Sequence, residues 1–237
     1  MNLFRVISKK IINFLGFNIT RYNKVVDSKK YDWLRNFRIN TIIDIGANIG
    51  SYSQFIHTIF QGATIYAFEP LKDCYDLLNK KKEIITNLNT FNIALGDRKE
   101  TNYIYRSSFT PSSSILQMSE KHTKAFPHTK ESVKQQIEID TLDNVLNKVD
   151  LVNDILIKID VQGFEKNVLI GAQNILKLAK IIIIELSFVE LYQGMSKFDE
   201  IYDMLKDVGF KYFGSWGQLN DPTDGKPLQQ DAIFIKE

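Results

Sequence analysis

The stretch 41-TIIDIGANIGSYSQF-55 decides the fold, because it joins a buried strand to a helix through a turn of small residues. The apolar run at its start is typical of a strand buried in a parallel sheet. Gly46 and Gly50 permit a left-handed backbone and close approach of a ligand, and Asn48 is a residue type that also tolerates that conformation. A helix beginning at Ser51 would direct free backbone N–H groups and the positive end of its dipole towards the turn. The stretch therefore predicts a strand, a ligand-binding turn and a helix.

Strand-length apolar runs alternate with helical patterns along most of the remaining chain. Alternation of this kind, with nearly continuous apolar strands, indicates a parallel sheet whose two faces are covered by helices. The sequence therefore predicts an α/β fold. The predicted strands are 41–46, 63–69, 89–95, 155–160, 180–186, 210–216 and 231–237, and the predicted helices are 51–60, 71–82, 166–179 and 198–209.

The segment 97–150 interrupts this alternation. The runs TNYIYRS and QQIEID favour short β segments, and residues 109–134 between them are rich in Ser, Thr and Lys. A loop of this length inside a compact domain is usually functional or disordered. We therefore predict a helical extension over 1–40 and a main domain over 41–237, which contains 97–150 as an insertion or lid.

Length, charge and cysteine content exclude several classes of protein. The 237 residues suit one domain with a small appendage. A net charge of +2 is too mild to require nucleic acid or an anionic membrane as partner. The single cysteine, Cys74, excludes a disulfide framework and a cysteine-based zinc site, and it favours a reducing compartment such as the cytoplasm. No apolar run approaches the roughly 18 residues of a membrane span.

The first 24 residues carry a basic amphipathic pattern. Phe4, Ile7 and Ile11 recur at helical spacing, and the segment has basic but no acidic residues. Such a helix can lie on a membrane surface, although apolar stripes on helices usually pack against a core. We prefer the packed helix and keep peripheral membrane contact through residues 1–24 as the alternative.

Two acidic residues near the turn indicate a nucleoside site. Glu69 ends the second predicted strand, nineteen residues after Gly50. An acidic residue about 20 residues past such a turn binds ribose hydroxyls in open α/β sheets. No phosphate-binding G-x-x-x-x-G-K-[ST] occurs, and a dinucleotide turn would need glycine where Asn48 and Ser51 stand. The Asp44 carboxylate suits a cationic ligand arm and would repel a pyrophosphate, so the pattern points to S-adenosylmethionine. The alternative for the glycines alone is a purely structural tight turn.

Several blocks in a fixed order resemble the FkbM family of methyltransferases. They are DIGANIGSYS (44–53), AFEP (67–70), NIALGD (92–97), SSSIL (112–116), IDTLD (139–143), LIKIDVQGFEKNVLIGA (156–172) and IIIIELS (181–187). The resemblance implies a Rossmann-like class I methyltransferase fold over 41–237, with a mostly parallel seven-stranded sheet that has one antiparallel strand, and helices on both faces. It also implies S-adenosylmethionine as methyl donor and, commonly, O-methylation of hydroxyls on sugars or natural products.

The resemblance also assigns a cofactor site. Considered alone, NIALGD could either flank an adenine or form a plain strand-end turn. One position departs from the family, because the block D-x-E-G reads Asp160-Val161-Gln162-Gly163 here. The expected cofactor-binding residues are Asp44, Gly46, Ala47, Asn48, Gly50, Ser51, Tyr52, Glu69, Pro70, Ala94, Leu95, Gly96, Asp97 and Asp160, with Ser113 and Ser114 of the serine cluster closing over the ligand.

Three acidic residues are candidates for the chemistry. A sugar hydroxyl is a poor nucleophile until its proton is removed, and a carboxylate base or a divalent metal can assist this. Asp160, Glu165 and Glu185 fall near the carboxyl ends of predicted strands, where ligands bind in open α/β sheets. Each has an alternative: Asp160 shapes the cofactor pocket, Glu165 is a favourable charge at a helix start, and Glu185 pairs with Lys158. The sequence offers no clear ligand set for a divalent metal.

The sequence predicts a small-molecule or glycan acceptor and no nucleic acid. After the fourth strand it reads DVQGF, without the prolines that shape a slot for a flipped base, and it has no basic stripe with interleaved aromatic residues. We expect acceptor contacts from 106–135, from 187–197 and from Trp216. His122 and His128 lie in the predicted long loop as solvated residues or a mobile base. The alternative function is a methyltransferase-like scaffold that binds the nucleoside without turnover, and the oligomeric state is not indicated.

Overall fold

A computed structural model describes residues 31–151 and 153–237. The predicted helix within 1–24, and most of the predicted extension over 1–40, lie outside the described residues. The chain divides into two compact units at Phe37 and Arg38. The described part of the first unit is a short 3₁₀ helix, Asp32–Asn36.

The second unit alternates strands and helices as the sequence predicts. Its strands are β1 Thr41–Ile45, β2 Thr64–Phe68, β3 Leu88–Phe91, β4 Ala94–Leu95, β5 Glu100–Ser107, β6 Ser132–Asp140, β7 Ile155–Ile159, β8 Ala179–Ser187, β9 Phe210–Asn220 and β10 Pro227–Lys236. Its α-helices are α1 Ser51–Ile59, α2 Lys72–Lys80, α3 Glu120–Ala125, α4 Leu142–Val145, α5 Glu165–Ile170, α6 Ile175–Leu178 and α7 Phe198–Asp207. None of these helices has the length and apolar character that crossing a bilayer requires.

Seven strands form the main sheet, in the order β3-β2-β1-β7-β8-β10-β9. The pairs from β3 to β8 are parallel, and β10 runs antiparallel to both of its neighbours. All five residues of β1 are buried, as expected for a strand covered on both faces. The predicted α/β, Rossmann-like fold with one antiparallel strand is confirmed. The carboxyl ends of β1, β2 and β7 meet at one edge of the sheet, where such folds bind ligands.

The predicted third strand, 89–95, is divided in two. β3 stays in the main sheet, while β4 leaves it and pairs with β6 in a second sheet of order β4-β6-β5. Asn92 marks the break, because its side-chain amide donates hydrogen bonds to the carbonyls of Glu69 and Pro70, both at 2.9 Å. The break places Ala94 and Leu95 of the NIALGD block in the second sheet.

The predicted helix 166–179 is also divided, into α5 and α6, at Gly171. A Cβ at Gly171 would lie 1.9 Å from the Gly96 carbonyl oxygen. The close backbone approach therefore requires glycine at this point and interrupts the helix. A periodicity in sequence does not reveal such a contact, because its partner lies far away in the chain.

The segment 97–150 is more regular than the sequence indicates. β5 and β6 form an antiparallel pair along their whole length. The serine- and lysine-rich part between them holds the helix α3, whose N-cap Ser119 accepts a hydrogen bond from the His122 N–H at 3.2 Å, and two 3₁₀ turns, Thr110–Ser112 and Pro127–Thr129. Residues 108–131, between β5 and β6, are therefore a folded segment and not a long open loop. This segment is called the cover below.

Candidate functional site

The turn after β1 is held between the ends of β2 and β7. Gly46, Asn48 and Gly50 all have positive φ, of 77°, 48° and 80°. The N–H groups of Gly46 and Ala47 both donate to the Phe68 carbonyl, at 3.1 and 3.0 Å. A Cβ on Gly46 would lie 1.9 Å from the backbone oxygen of Asp160. Position 46 therefore requires glycine, because its φ is positive and because its backbone lies against the backbone of Asp160 after β7.

Glu69 ties the second strand to this turn. Its Oε2 accepts the Asn48 N–H at 2.9 Å and its Oε1 accepts the Leu71 N–H at 2.8 Å. The side chain is buried, and burial raises the pKa of Glu69 to about 7 in spite of the two N–H donors. Each carboxyl oxygen can accept a second hydrogen bond, so Glu69 can still bind hydroxyl groups of a ligand.

A cleft opens at the carboxyl ends of β1, β2 and β7. Its empty space is about 680 Å³, with the open solvent at its mouth included. Its walls are mainly apolar, with Asn48, Glu69, Ser113, Asp160 and Gln162 as polar groups. Eight of the sequence-predicted cofactor residues line it: Gly46, Asn48, Glu69, Pro70, Ala94, Leu95, Ser113 and Asp160.

Other lining residues have no local signal in the sequence. The apolar walls come from strands of both sheets and from the cover, so tertiary structure alone brings them together. Thr110 also belongs to the site, since its Oγ1 accepts a hydrogen bond from the Asn48 side-chain amide at 3.3 Å. The lining residues that sequence analysis did not select are Ile45, Phe68, Leu71, Ile93, Ile104, Thr110, Pro111, Ile115, Val161 and Gln162.

Asp44 does not line the cleft. The side chain is fully buried, its Oδ2 accepts the Ser53 hydroxyl at 2.6 Å, and burial raises its pKa. Its Oδ1 has no hydrogen-bond partner among the described residues. The carboxylate is therefore covered by protein, and a direct contact of Asp44 with the cationic arm of a ligand stays a prediction.

Gly96 and Asp97 also lie outside the cleft lining, although Ala94 and Leu95 of β4 line it. A Cβ on Gly96 would lie 2.9 Å from Ile139 and 3.0 Å from Phe164, and Asp97 Oδ1 accepts the Asn167 amide at 3.0 Å. These two residues join β4 to α5. Ala47, Gly50, Ser51, Tyr52 and Ser114 likewise border the turn or the cover without lining the cleft.

A polar cluster continues from the cleft along the ends of β7, β8 and β10. Asp160 lines the cleft, with its Oδ2 3.0 Å from the Lys158 ammonium. Glu185 accepts hydrogen bonds from the Gln162 and Gln229 amides. Lys158 therefore makes its ion pair with Asp160, and the pair expected with Glu185 is absent from the described contacts. Burial, reinforced by the Asp160 charge, raises the pKa of Glu185 well above its usual range.

Asp231 belongs to the same cluster, although no pattern in the sequence distinguishes it from other acidic residues. It stands opposite Glu185 in the antiparallel β10–β8 register. Burial raises the pKa of Asp231 to about 6, with the Asp160 charge acting in the same direction. Only strand pairing between distant parts of the chain brings this carboxylate into the cluster.

Glu165 shapes the turn that carries Gln162. Its Oε1 accepts the N–H groups of Val161 at 3.2 Å and of Gly163 at 3.0 Å. The side chain is buried, and burial raises the pKa of Glu165 to about 7. Glu165 therefore holds a backbone turn and does not line the cleft, which favours a supporting role over the predicted role as base.

His122 is a buried residue and not a solvated loop residue. Its Nδ1 lies 3.3 Å from the Thr129 hydroxyl and its Nε2 3.5 Å from the Tyr192 hydroxyl. Burial lowers the pKa of His122 to about 4. The prediction of a mobile or solvated histidine is wrong at this position, because α3 packs His122 against Tyr192 under the cover.

Phe188 and Tyr192, two aromatic residues of the predicted acceptor segment 187–197, differ in exposure. Phe188 is 41% exposed and stacks on Phe198, whereas Tyr192 is 1% exposed. Tyr192 donates its hydroxyl to Gln162 Oε1 at 2.7 Å. Trp216 packs against the rings of Tyr52 and Phe55. Among the described residues, no group of three or more His, Cys, Asp and Glu side chains has the arrangement to hold a metal ion.

Comparison with known proteins agrees with this geometry. Residues 44–212 match the family described as the methyltransferase FkbM domain. The chain is similar to the 2-O-methyltransferase NoeI of Sinorhizobium fredii (strain NBRC 101917 / NGR234), with 26% identity over 69% of this chain and 70% of the relative. It is also similar to the methyltransferase sdnD of Sordaria araneosa, with 26% identity over 80% of each chain.

A solved structure of WbdD, in complex with the kinase inhibitor LY294002, shares the fold. The TM-score is 0.51 at 13% sequence identity, over 95% of this chain and 43% of the WbdD chain. Identity this low supports the fold alone. The family match spans most of the chain and includes the turn, Glu69, Asp160 and Glu185. The chain belongs to the FkbM family of methyltransferases.

Proposed function

We propose that this protein transfers a methyl group from S-adenosylmethionine to a hydroxyl group of a sugar, a glycan or another natural product. The observation that carries the proposal is the continuity of the site. A nucleoside-type cleft with Glu69 at its wall runs directly into a cluster with Asp160 at the cleft surface. One end suits the methyl donor, and the other end supplies a carboxylate to the acceptor.

The residues present fit the donor. A buried carboxylate at Glu69 suits the two ribose hydroxyls, and the turn at Gly46 has no side chain between the backbone and the cleft. Phe68, Leu71 and Ile93 provide apolar walls suited to an adenine ring. When bound, S-adenosylmethionine supplies an activated methyl group on a sulfonium and leaves as S-adenosylhomocysteine.

The chain's own residues then act on the acceptor. Asp160 accepts the hydroxyl proton as the oxygen forms its bond to the methyl carbon, because it is the only carboxylate of the cluster that lines the cleft. A positioned carboxylate base contributes about 10²–10⁴-fold. The cover, through Thr110 and Ser113, limits access of water to the site. Alignment of acceptor and donor supplies the remaining rate enhancement.

The relative NoeI supports the choice of a hydroxyl acceptor, since its name describes a 2-O-methyltransferase. The sequence DVQGF after β7 supports it further, because it lacks the proline slot that suits an extruded base.

A methyl-transfer assay tests the proposal. The purified protein is incubated with methyl-labelled S-adenosylmethionine and a panel of neutral glycosides, amino sugars, hydroxylated natural products and tRNA. We expect label in a methyl ether, identified by NMR, with an equal amount of S-adenosylhomocysteine formed. Label on nitrogen or on tRNA would contradict the proposal. Binding of the donor without transfer to any acceptor would favour a scaffold.

A further inference from the structure

Gln162 lies at the centre of the polar cluster. It follows β7 in a left-handed conformation, with φ of 57°, and its carbonyl accepts the Ser114 hydroxyl of the cover at 2.6 Å. Gly163 continues the turn and is fixed by Glu165. The backbone of Gln162 is therefore anchored on both sides, so its side chain has a defined direction.

The side-chain amide of Gln162 has all of its hydrogen-bonding groups in use. Its Nε2 donates to Asp160 Oδ1 at 2.8 Å and to Glu185 Oε1 at 2.8 Å. Its Oε1 accepts the Tyr192 hydroxyl at 2.7 Å. An amide nitrogen only donates hydrogen bonds and an amide oxygen only accepts them, so in this orientation the nitrogen serves the two carboxyl groups and the oxygen serves the Tyr192 hydroxyl.

We propose that the Gln162 amide is a positioning group that bridges Asp160 to Glu185 and thereby aims the Asp160 carboxylate into the cleft. This inference rests on the proposed function. When the two carboxyl groups bonded to this one nitrogen are both ionised, they repel each other. The two N–H groups offset this repulsion and hold one rotamer of Asp160, while Tyr192 holds the amide itself.

A glutamate at position 162 would reverse this arrangement. It would replace the two N–H donors with a further carboxylate beside Asp160 and Glu185. Its negative charge would favour the protonated forms of Asp160 and Glu185. Several titratable groups surround Gln162. They are Asp44 in β1, Lys158 in β7, Asp160 directly after β7, Glu165 on α5, Glu185 in β8, Asp231 in β10, His122 on α3 and Tyr192. Only Lys158 among them is a cation at neutral pH, and it already pairs with Asp160.

Two variants test the inference: Gln162→Met, which removes the amide without adding charge, and Gln162→Glu. In Gln162→Met we expect kcat to fall about 10–100-fold, as for other groups that orient a reacting ligand, with the acceptor KM within about threefold of wild type. In Gln162→Glu we expect the same loss at neutral pH, with recovery as the pH rises and the acid limb of the kcat profile displaced upwards by about one pH unit or more. The exposed Gln136→Glu is the matched control and should keep the wild-type profile.

A second measurement does not require an acceptor. The carboxyl carbon of Glu185, labelled with ¹³C and assigned with Glu185→Gln, is titrated by NMR in wild type and in Gln162→Met. Loss of the amide donor should raise the pKa of Glu185. An unchanged Glu185 titration, or an acid limb in Gln162→Glu that coincides with wild type, would overturn the inference. If wild type transfers no methyl group, the proposed function fails, while the titration still decides whether the bridge exists.

Discussion

Replacement of Gly46 by alanine is expected to abolish binding of S-adenosylhomocysteine and S-adenosylmethionine, with a loss of affinity of about 100-fold or more. The added Cβ would lie 1.9 Å from the Asp160 backbone oxygen, which is too close for any adjustment of a side chain to relieve. The φ of 77° adds backbone strain in any residue other than glycine. The turn must therefore move away from the β7 end, and the cleft loses its shape.

The same change should lower the free energy of unfolding by about 3 kcal/mol or more, in the range of substitutions that force strain and a clash on the backbone. Denaturant titration measures this, beside calorimetric binding. Gly62→Ala is the matched control, because nothing lies within 4 Å of its added Cβ. Retention of wild-type affinity by Gly46→Ala would show that the turn does not form the ligand site described above.

Asp160→Asn is expected to lower kcat for methyl transfer by about 10²–10⁴-fold, the contribution of a positioned carboxylate base. Asparagine keeps the size of the side chain and can still accept a hydrogen bond from Gln162, but it cannot take up the hydroxyl proton. It also leaves the Lys158 ammonium, whose side chain is 13% exposed, without its ion-pair partner. Affinity for S-adenosylhomocysteine should fall much less than kcat.

Asp154→Asn provides the control for this substitution. Asp154 is exposed and has φ of 67°, a conformation that asparagine adopts well. Its kcat and its stability should match wild type. A kcat in Asp160→Asn within about threefold of wild type would assign the proton transfer to another group. Glu185 and Asp231 of the polar cluster would then be the carboxylates to test.

Local sequence signals predicted the ligand turn well. Gly46, Asn48 and Gly50 were selected for their tolerance of a left-handed backbone, and all three have positive φ. Glu69 was selected by its spacing from the turn, and it lines the cleft. The family assignment confirms the fold and S-adenosylmethionine as methyl donor. These features are encoded within short segments, so they do not depend on contacts between distant parts of the chain.

Side-chain direction and distant contacts could not be predicted in the same way. β1 is buried on both faces, so its pattern gives no indication that Asp44 points to the core. Gly96 packs against Ile139 and Phe164, and Asp97 accepts a hydrogen bond from Asn167, and these partners come from distant parts of the chain. Gln162 was recognised only as a departure from its family, because its partners Tyr192 and Ser114 come from other parts of the chain.

Calorimetric titration with S-adenosylmethionine, S-adenosylhomocysteine and NAD tests most directly that the cleft beside Glu69 is a sulfur-nucleoside site. We expect dissociation constants on the order of micromolar for the two sulfur nucleosides and no binding of NAD. Glu69→Ala should lose this binding, because it removes the ribose acceptor and leaves the Asn48 and Leu71 N–H groups unpaired, whereas the exposed Glu83→Ala should keep it. Binding of NAD at comparable affinity, or unchanged affinity of Glu69→Ala for the sulfur nucleosides, would show that the cleft beside Glu69 is not a sulfur-nucleoside site.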